Sequence, residues 1–450
     1  MVNRVTRSLV SFFGWMRPEA ILLISFGIAI LTGGLLLSLP FSHYEGVGLS
    51  DAFFTAASAV CVTGLIVVDT GSDYTVSGQI IILILIQLGG LGVMTFAALV
   101  FELLGSRLSL AGQAAMTQAL VHEELVKGFQ GYFKKILYLL VTIELIGAAA
   151  LFFAFLPETG PGEAAYTSVF HSVSAFCNAG FSLYPDSLIG FDHNLILVGI
   201  VAALIIVGGI GHPVIFDIIR VFREPNKNNK SLWSQFNTHT RITVITTIIL
   251  LVSGTVLLFF SAMPVQVFDP SEAVFQSITA RTAGFNTVVT GNLPLSSLII
   301  LLVLMFIGGS PGSCAGGIKT TTFAIWMGQL FNRLKGKKAT IIGRRYMPQT
   351  LVRRSSTIIG LAVLWNIAGV FILSLTEAGT GLHHIMFEQV SAFGTVGLST
   401  GLTPELSEYG RVWVILTMFV GRTGPLTGVI LLLKRKPVTV KYPEGKVMIG

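Results

Sequence analysis

The stretch Ser391-Ala-Phe-Gly-Thr-Val-Gly397 occurs four times in imperfect form, and no other feature constrains the fold of this chain as strongly. The other copies are Ser58-Ala-Val-Cys-Val-Thr-Gly64, Ser174-Ala-Phe-Cys-Asn-Ala-Gly180 and Thr279-Ala-Arg-Thr-Ala-Gly284, the last one residue shorter. A Phe stands four positions before each copy (Phe54, Phe170, Phe275, Phe387), and an apolar residue follows each final Gly (Leu65, Phe181, Phe285, Leu398). By subtraction, the final glycines lie 116, 104 and 113 positions apart. Self-similarity at a near-constant period indicates four tandem structural repeats in one polypeptide.

Each copy is flanked by long apolar runs. Those before it cover about 20–40, 136–156, 242–263 and 358–375, and those after it about 78–104, 195–219, 298–331 and 412–433. Each run is near the roughly 20 apolar residues that a helix needs to cross a bilayer. Composition agrees: 52% of residues are hydrophobic and 11% charged, whereas soluble domains carry about 25% charged residues. Lipid must therefore be the solvent for most of the surface. The half-length segment between each pair of runs reads as a pore helix that enters the membrane and turns back. Non-helical backbone at that depth is tolerated only where it lines a wet cavity or is buried in protein. The expected fold is an all-α integral membrane protein with four tandem helix–pore-helix–helix repeats around one central pore. It would have eight transmembrane helices and four re-entrant pore loops. The repeats would occupy 1–105, 106–222, 223–335 and 336–434, with a cytoplasmic tail at 435–450.

Charge orients the chain. All but four of the 29 Lys and Arg residues lie in the N-terminus, in the segments between repeats, or in the tail. That side is expected to be cytoplasmic by the positive-inside rule, which puts both termini there. The N-terminus is basic but lacks an apolar core followed by a small-residue cleavage site, so no cleaved signal is expected. The opposite side holds 14 of the 22 acids, among them Glu45, Asp51, Asp69, Asp73, Glu158, Asp186, Asp269, Glu388 and Glu405. An acidic rim there would raise the local cation concentration. The basic tract 333–354 could meet anionic lipid or a protein partner. Cys61, Cys177 and Cys314 show neither disulfide nor zinc spacing and read as small apolar residues.

The fourth copy contains Thr395-Val-Gly397, the core of the potassium-channel filter signature. In such filters, rings of backbone carbonyls replace the ion's hydration shell. Four loops on one axis would supply four carbonyls per layer. The candidate potassium-binding residues are Val62, Thr63 and Gly64; Asn178, Ala179 and Gly180; Thr282, Ala283 and Gly284; and Thr395, Val396 and Gly397. A second repeated element follows 24 to 28 residues later, as Gly89-Gly-Leu-Gly92, Gly208-Gly-Ile-Gly211, Gly308-Gly-Ser-Pro-Gly312 and Gly421-Arg-Thr-Gly424. For the first two, close packing of backbones is the expected role. The third runs on as Gly308, Gly309, Ser310, Pro311, Gly312, Ser313, Cys314, Ala315, Gly316 and Gly317. Five Gly and a Pro in ten residues cannot continue a helix. A break at mid-membrane depth beneath the filter would be a movable obstruction in the permeation path, that is, a gate. Lys319 and Arg422 are intramembrane cations, which face a cavity or a polar partner; an ion pair with Glu144 is the alternative for them.

Other motifs fail on context. Gly312 to Gly317 followed by Ile318 and Lys319 departs from a phosphate-binding loop, because Ile318 separates Gly from Lys and the setting is a membrane span. Gly90 and Gly92 lack the strand and acidic partner of a dinucleotide site. His171, His212, His383 and His384 have no metal-ligand spacing. No catalytic residues, organic cofactor or nucleic-acid partner are expected.

Taken together, the four copies, Thr279-Ala-Arg-Thr-Ala-Gly-Phe-Asn286, Gly316-Gly-Ile-Lys-Thr320 and Phe419-Val-Gly-Arg-Thr-Gly-Pro-Leu-Thr427 resemble the Trk/Ktr/HKT superfamily of potassium transporters. In length the chain is most similar to its KtrB-type membrane subunits. The resemblance covers nearly the whole chain and implies potassium uptake, with sodium as a candidate activator. It implies that Gly64, Gly180, Gly284 and Gly397 line the ion path, that 308–317 is the gating loop and that Arg422 faces it. It also implies a homodimer in which each subunit has its own pore. That dimer would rest on a cytosolic, KtrA-like ring of RCK-type nucleotide-binding subunits. Gly at the first filter position, Gly64, implies potassium over sodium. A secondary symporter coupling potassium to sodium or proton entry is the competing class. Such transporters often show inverted repeats, whereas here each repeat starts and ends on the basic side.

Overall fold

A computed structural model describes residues 18–91, 129–223, 231–263 and 269–424. The N-terminal basic stretch, the first second-run beyond residue 91, the last run beyond 424 and the tail 435–450 lie outside the described residues.

The chain builds the same helix–short-helix–helix unit four times. The first unit is α1 (Pro18–Leu37), the short α2 (Leu49–Cys61) and α3 (Val76–Gly90). The second is α4 (Phe129–Thr159), the short α5 (Pro161–Phe176) and α6 (Leu195–Ile210), followed by α7 (His212–Arg223). The third is α8 (Thr238–Ala262), the short α9 (Pro270–Thr279), α10 (Leu295–Phe306) and, after a break, α11 (Thr320–Leu334). The fourth is α12 (Gln349–Thr376), the short α13 (Leu382–Gly394) and α14 (Glu408–Thr423). A small hairpin of β1 (Ile341–Ile342) and β2 (Arg345–Tyr346) joins the last two units.

Length and apolar composition make α4, α8 and α12 membrane-crossing helices on their own. The second helices are less simple. Residues 195–219 do not form one straight span: α6 and α7 meet at 95°, with Gly211 between them at φ +92°. The bend turns α7, which carries Arg220 and Arg223 in its last turn, out of the line of the span. The run 298–331 is interrupted over 307–319, as five Gly and one Pro require.

Local chemistry sets the bounds of the short helices. Gly48 N donates to Asp51 Oδ2 at 2.9 Å and Asp269 N to Glu272 Oε2 at 2.7 Å, satisfying donors that a helix start leaves open. Pro161 and Pro270 occupy first positions, where the missing N–H costs nothing. At the far ends, Val62, Asn178, Thr282 and Thr395 all take left-handed φ values between 49° and 74°, which stops the helix and turns the chain back. The four Phe residues that precede the copies are at most 1% exposed and anchor each short helix to the core.

Lipid is as apolar as a leucine side chain, so helix association here rests on close packing. A Cβ on Gly89, Gly208 or Gly421 would come within 3.0 Å of the carbonyl oxygens of Val60, Phe176 and Phe393 respectively. The second helix of those units therefore lies directly on the end of its own short helix, the role expected for the first two. Each second helix also packs on the short helix of the next unit: α3 on α5, α6 on α9, α10 on α13 and α14 back on α2. The series closes on itself.

Candidate functional site

The closure converges on the four Gly-terminated turns. All four final glycines have positive φ: Gly64 +87°, Gly180 +70°, Gly284 +79° and Gly397 +93°. A Cβ on Gly64 would lie 3.1 Å from Gly180 Cα; the same 3.1 Å recurs from Gly180 to Gly284, Gly284 to Gly397 and Gly397 to Gly64. Each hypothetical Cβ would also come within 3.0 Å of the preceding residue's carbonyl oxygen in the next turn: Ala179, Ala283, Val396 and Thr63. The four turns thus form one closed ring in chain order. Positive φ and backbone on the neighbouring side leave room for Gly alone.

The turns share a hydrogen-bond scheme. Val62 N donates to Ala59 O at 3.1 Å and Thr63 N to Ser58 O at 2.8 Å, with equivalents at Asn178 and Ala179 and at Thr395 and Val396. The shorter third copy reaches the same shape with Ala283 N on Thr279 O at 2.9 Å. The leading hydroxyl residue closes three of the turns. Ser58 Oγ accepts from Gly64 N at 3.0 Å, Ser174 Oγ donates to Phe181 O at 2.7 Å and Thr279 Oγ1 to Phe285 O at 2.8 Å.

The carbonyls are the exception to this satisfaction. Among the described residues, none donates to the carbonyls of the final three residues of any turn, twelve in all. Their side-chain-bearing residues are at most 1% exposed. Gly64 and Gly284 are buried too, and Gly180 and Gly397 half-buried. Buried carbonyls are nearly always paired, so this many open ones in one ring suit a dehydrated cation. Four helix C-termini end beside the ring, each carrying roughly half a negative charge. The ring can therefore replace a hydration shell with fixed oxygens.

The Gly-rich break lies directly against this ring. Gly316 abuts the Thr395 side chain, Gly308 lies near Thr282 Cγ2 and Gly317 near Gly394 Cα. Its backbone bonds to the α6–α7 bend: Ser310 N to Gly209 O at 3.0 Å, Cys314 N to Gly208 O at 3.3 Å and, in return, His212 N to Gly312 O at 3.1 Å. Three cations hold its carbonyls. Lys319 Nζ donates to Ala315 O at 2.5 Å and Arg281 Nη2 to Gly308 O at 3.0 Å. Arg422 donates from one terminal nitrogen to Cys314 O and from the other to Gly89 O. The structure thus brings 308–317, Lys319 and Arg422 together beside the ring.

Two expectations change. Glu144 does not pair with Lys319 or Arg422; it accepts from Gln87 Nε2 at 3.1 Å, while both cations reach loop carbonyls instead. Glu388 is no part of an acidic rim. It is 0% exposed, because it lies on the inward face of α13. Two residues acquire places that the sequence did not assign. Arg281 stands where the other copies have Cys61, Cys177 and Gly394, and spans from the third turn to the break. Arg411 Nη1 pairs with Asp51 Oδ1 at 2.7 Å, and Ser50 Oγ donates to Glu408 Oε2 at 2.7 Å, stitching the fourth unit to the first. The signal for Arg281 was available: a lone cation in an otherwise small, apolar motif.

Comparison with known proteins gives a consistent picture. The TrkH family, described as "Cation transport protein", is matched over residues 30–439. The chain is 38% identical to Ktr system potassium uptake protein B of Bacillus subtilis, over 97% of this chain and 98% of that one. It is 37% identical to the potassium/sodium uptake protein NtpJ of Enterococcus hirae, over 97% and 98%. Among solved structures, the potassium transporter TrkH from Vibrio parahaemolyticus superposes with a TM-score of 0.71. It shares 20% identity and covers 93% of this chain and 86% of its own, a likeness in fold.

Proposed function

The chain belongs to the TrkH family of cation transport proteins, and from that premise we propose that it admits potassium across the cell membrane through the ring of four turns. The observation that carries this reading is the set of twelve carbonyls without a donor among the described residues, supplied equally by four turns whose residues are buried apart from the half-buried Gly180 and Gly397. Potassium as cargo is supported by the names of the relatives, one of which adds sodium. Ion contact falls to residues 62–64, 178–180, 282–284 and 395–397. The break 308–317 is the gate, and Lys319 and Arg422 hold it closed while their charge repels an arriving cation.

The same proposal includes the surroundings of the pore. The repeats run 1–105, 106–222, 223–335 and 336–434, both termini are cytoplasmic, and the protein is a homodimer. The words "Ktr system" in the name of the Bacillus subtilis relative support a multi-component assembly. The further component is a cytosolic, nucleotide-binding RCK-type ring that docks on the basic tract 333–354. A pore is favoured over a stoichiometric symporter because the four units close into one ring around an axis.

Ion flux from purified protein in liposomes, under imposed voltages, tests the reading. Potassium flux that follows voltage without added sodium or a proton gradient is expected. Potassium entry that stops unless a second ion moves with it would overturn the pore in favour of symport.

A further inference from the structure

The residue after the anchoring Phe is buried and polar in all four copies: Thr55 (1% exposed), His171, Gln276 and Glu388 (0% each). It lies on the short helix, behind the turn. In two copies it reaches across to the segment that leaves the ring. Glu388 Oε2 accepts from Ser399 Oγ at 2.9 Å, and its other oxygen accepts from Thr403 Oγ1. His171 Nε2 lies 3.0 Å from Ser182 Oγ, and its Nδ1 lies 2.9 Å from Thr167 O. A carbonyl only accepts, so Nδ1 carries the proton, and in a neutral ring Nε2 accepts the Ser182 hydroxyl proton, for which Ser187 O at 3.3 Å is the longer competing acceptor. Ser182 and Ser399 occupy the same place, two residues after Gly180 and Gly397.

The other two copies lack this tie. Ile66, two residues after Gly64, is apolar. Gln276 has no hydrogen-bond partner for either amide atom, and Asn286 none for its side-chain oxygen, among the described residues. The ring runs in chain order, so the second and fourth turns face each other across the axis. The two ties therefore form one diagonal.

We propose that His171 and Glu388 are positioning residues for ion selection. Each straps the outgoing segment of its turn to the short helix behind it, fixing the carbonyls of Gly180 and Gly397 at opposite sides of the ring. Discrimination between ions of equal charge depends on how far the carbonyl cage can contract or how its oxygens are held. Two rigid opposite corners hold the span open against collapse onto a smaller ion, while the unstrapped diagonal can adjust. This rests on the reading of the ring as the ion path.

The test measures reversal potentials in mixed potassium and sodium for Ser399→Ala, Glu388→Gln, Glu388→Ala and His171→Ala in liposomes. A roughly tenfold fall in potassium preference for the Ala variants of Glu388 and His171, with maximal potassium flux retained, is expected. Glu388→Gln keeps one acceptor oxygen and should fall between wild type and Glu388→Ala. Ser399→Ala removes a strap without emptying the core, so it should act even if an Ala variant at Glu388 fails to fold. Its effect should not add to that of Glu388→Gln, because both act on one bond. An unchanged preference in folded Ser399→Ala and His171→Ala, with only a lower melting temperature, would overturn the proposal and leave the straps as supports. If wild-type protein itself shows no potassium-selective flux, the ring reading fails instead.

Discussion

Gly64 has no room for a side chain: its φ is +87° and its neighbour's backbone occupies the Cβ direction. Left-handed backbone at a non-Gly residue costs on the order of 1–3 kcal/mol at such sites, and here the neighbouring turn must also move. Gly64→Ser should therefore lower potassium preference over sodium about tenfold, the equivalent of about 1.4 kcal/mol. Competition between the two ions in uptake assays measures it, and an unchanged ratio would remove Gly64 from the ion path. Arg422 ties Cys314 to Gly89 through two terminal nitrogens. Arg422→Gln keeps some polarity but loses the charge and one reach, so potassium flux in the resting state should rise several-fold per folded protein. The equivalence of the four glycines was legible in the sequence because positive φ and a crowded neighbour both demand Gly, and such demands leave a mark at one position. That Arg281 is exceptional was legible too, but its partner was not, because its acceptor, Gly308 O, lies 27 residues further on; only the return of α10 toward the ring brings them together.

At the scale of elements, the break 308–317 behaves as part of the α6–α7 bend. Its bonds run to Gly208, Gly209 and His212, so a loop that opens as the proposed gate must either break them or take the start of α7 with it. Deleting 309–316 should raise basal potassium flux per folded protein and weaken its dependence on a regulatory partner. If normalised flux falls instead, the loop supports the ring and the obstruction lies elsewhere. The break itself could be read from five Gly and a Pro in ten residues. The 95° bend at Gly211 could not, because the pattern Gly208-Gly-Ile-Gly211 does not by itself dictate a bend. Its cause is tertiary. Gly211 faces Pro311 O, and His212 finds its acceptor in Gly312, a segment of another unit.

Across the whole molecule, four units on one chain must join their first and last members. Arg411–Asp51 and Ser50–Glu408 make that seam on the side of the short-helix starts, and Gly397 against Gly64 makes it at the ring. The side chains of Arg411 and Asp51 are 17% and 14% exposed, so water screens the pair only in part. Arg411→Ala should cost roughly 1–2 kcal/mol, read as a lower melting temperature in detergent; an unaltered transition would mean the seam is held by helix packing alone. The ring also has a consequence for synthesis. A nascent chain enters the bilayer one repeat at a time, and its first turn waits for a partner more than 300 positions away. Until that partner arrives, the cage lacks a wall. On the proposed reading of the ring as the ion path, a ribosome that abandons the message early leaves behind a fragment with at most three-quarters of a coordination shell. Such a fragment could not strip water from an ion, and the membrane potential of the cell would be spared a leak through unfinished protein.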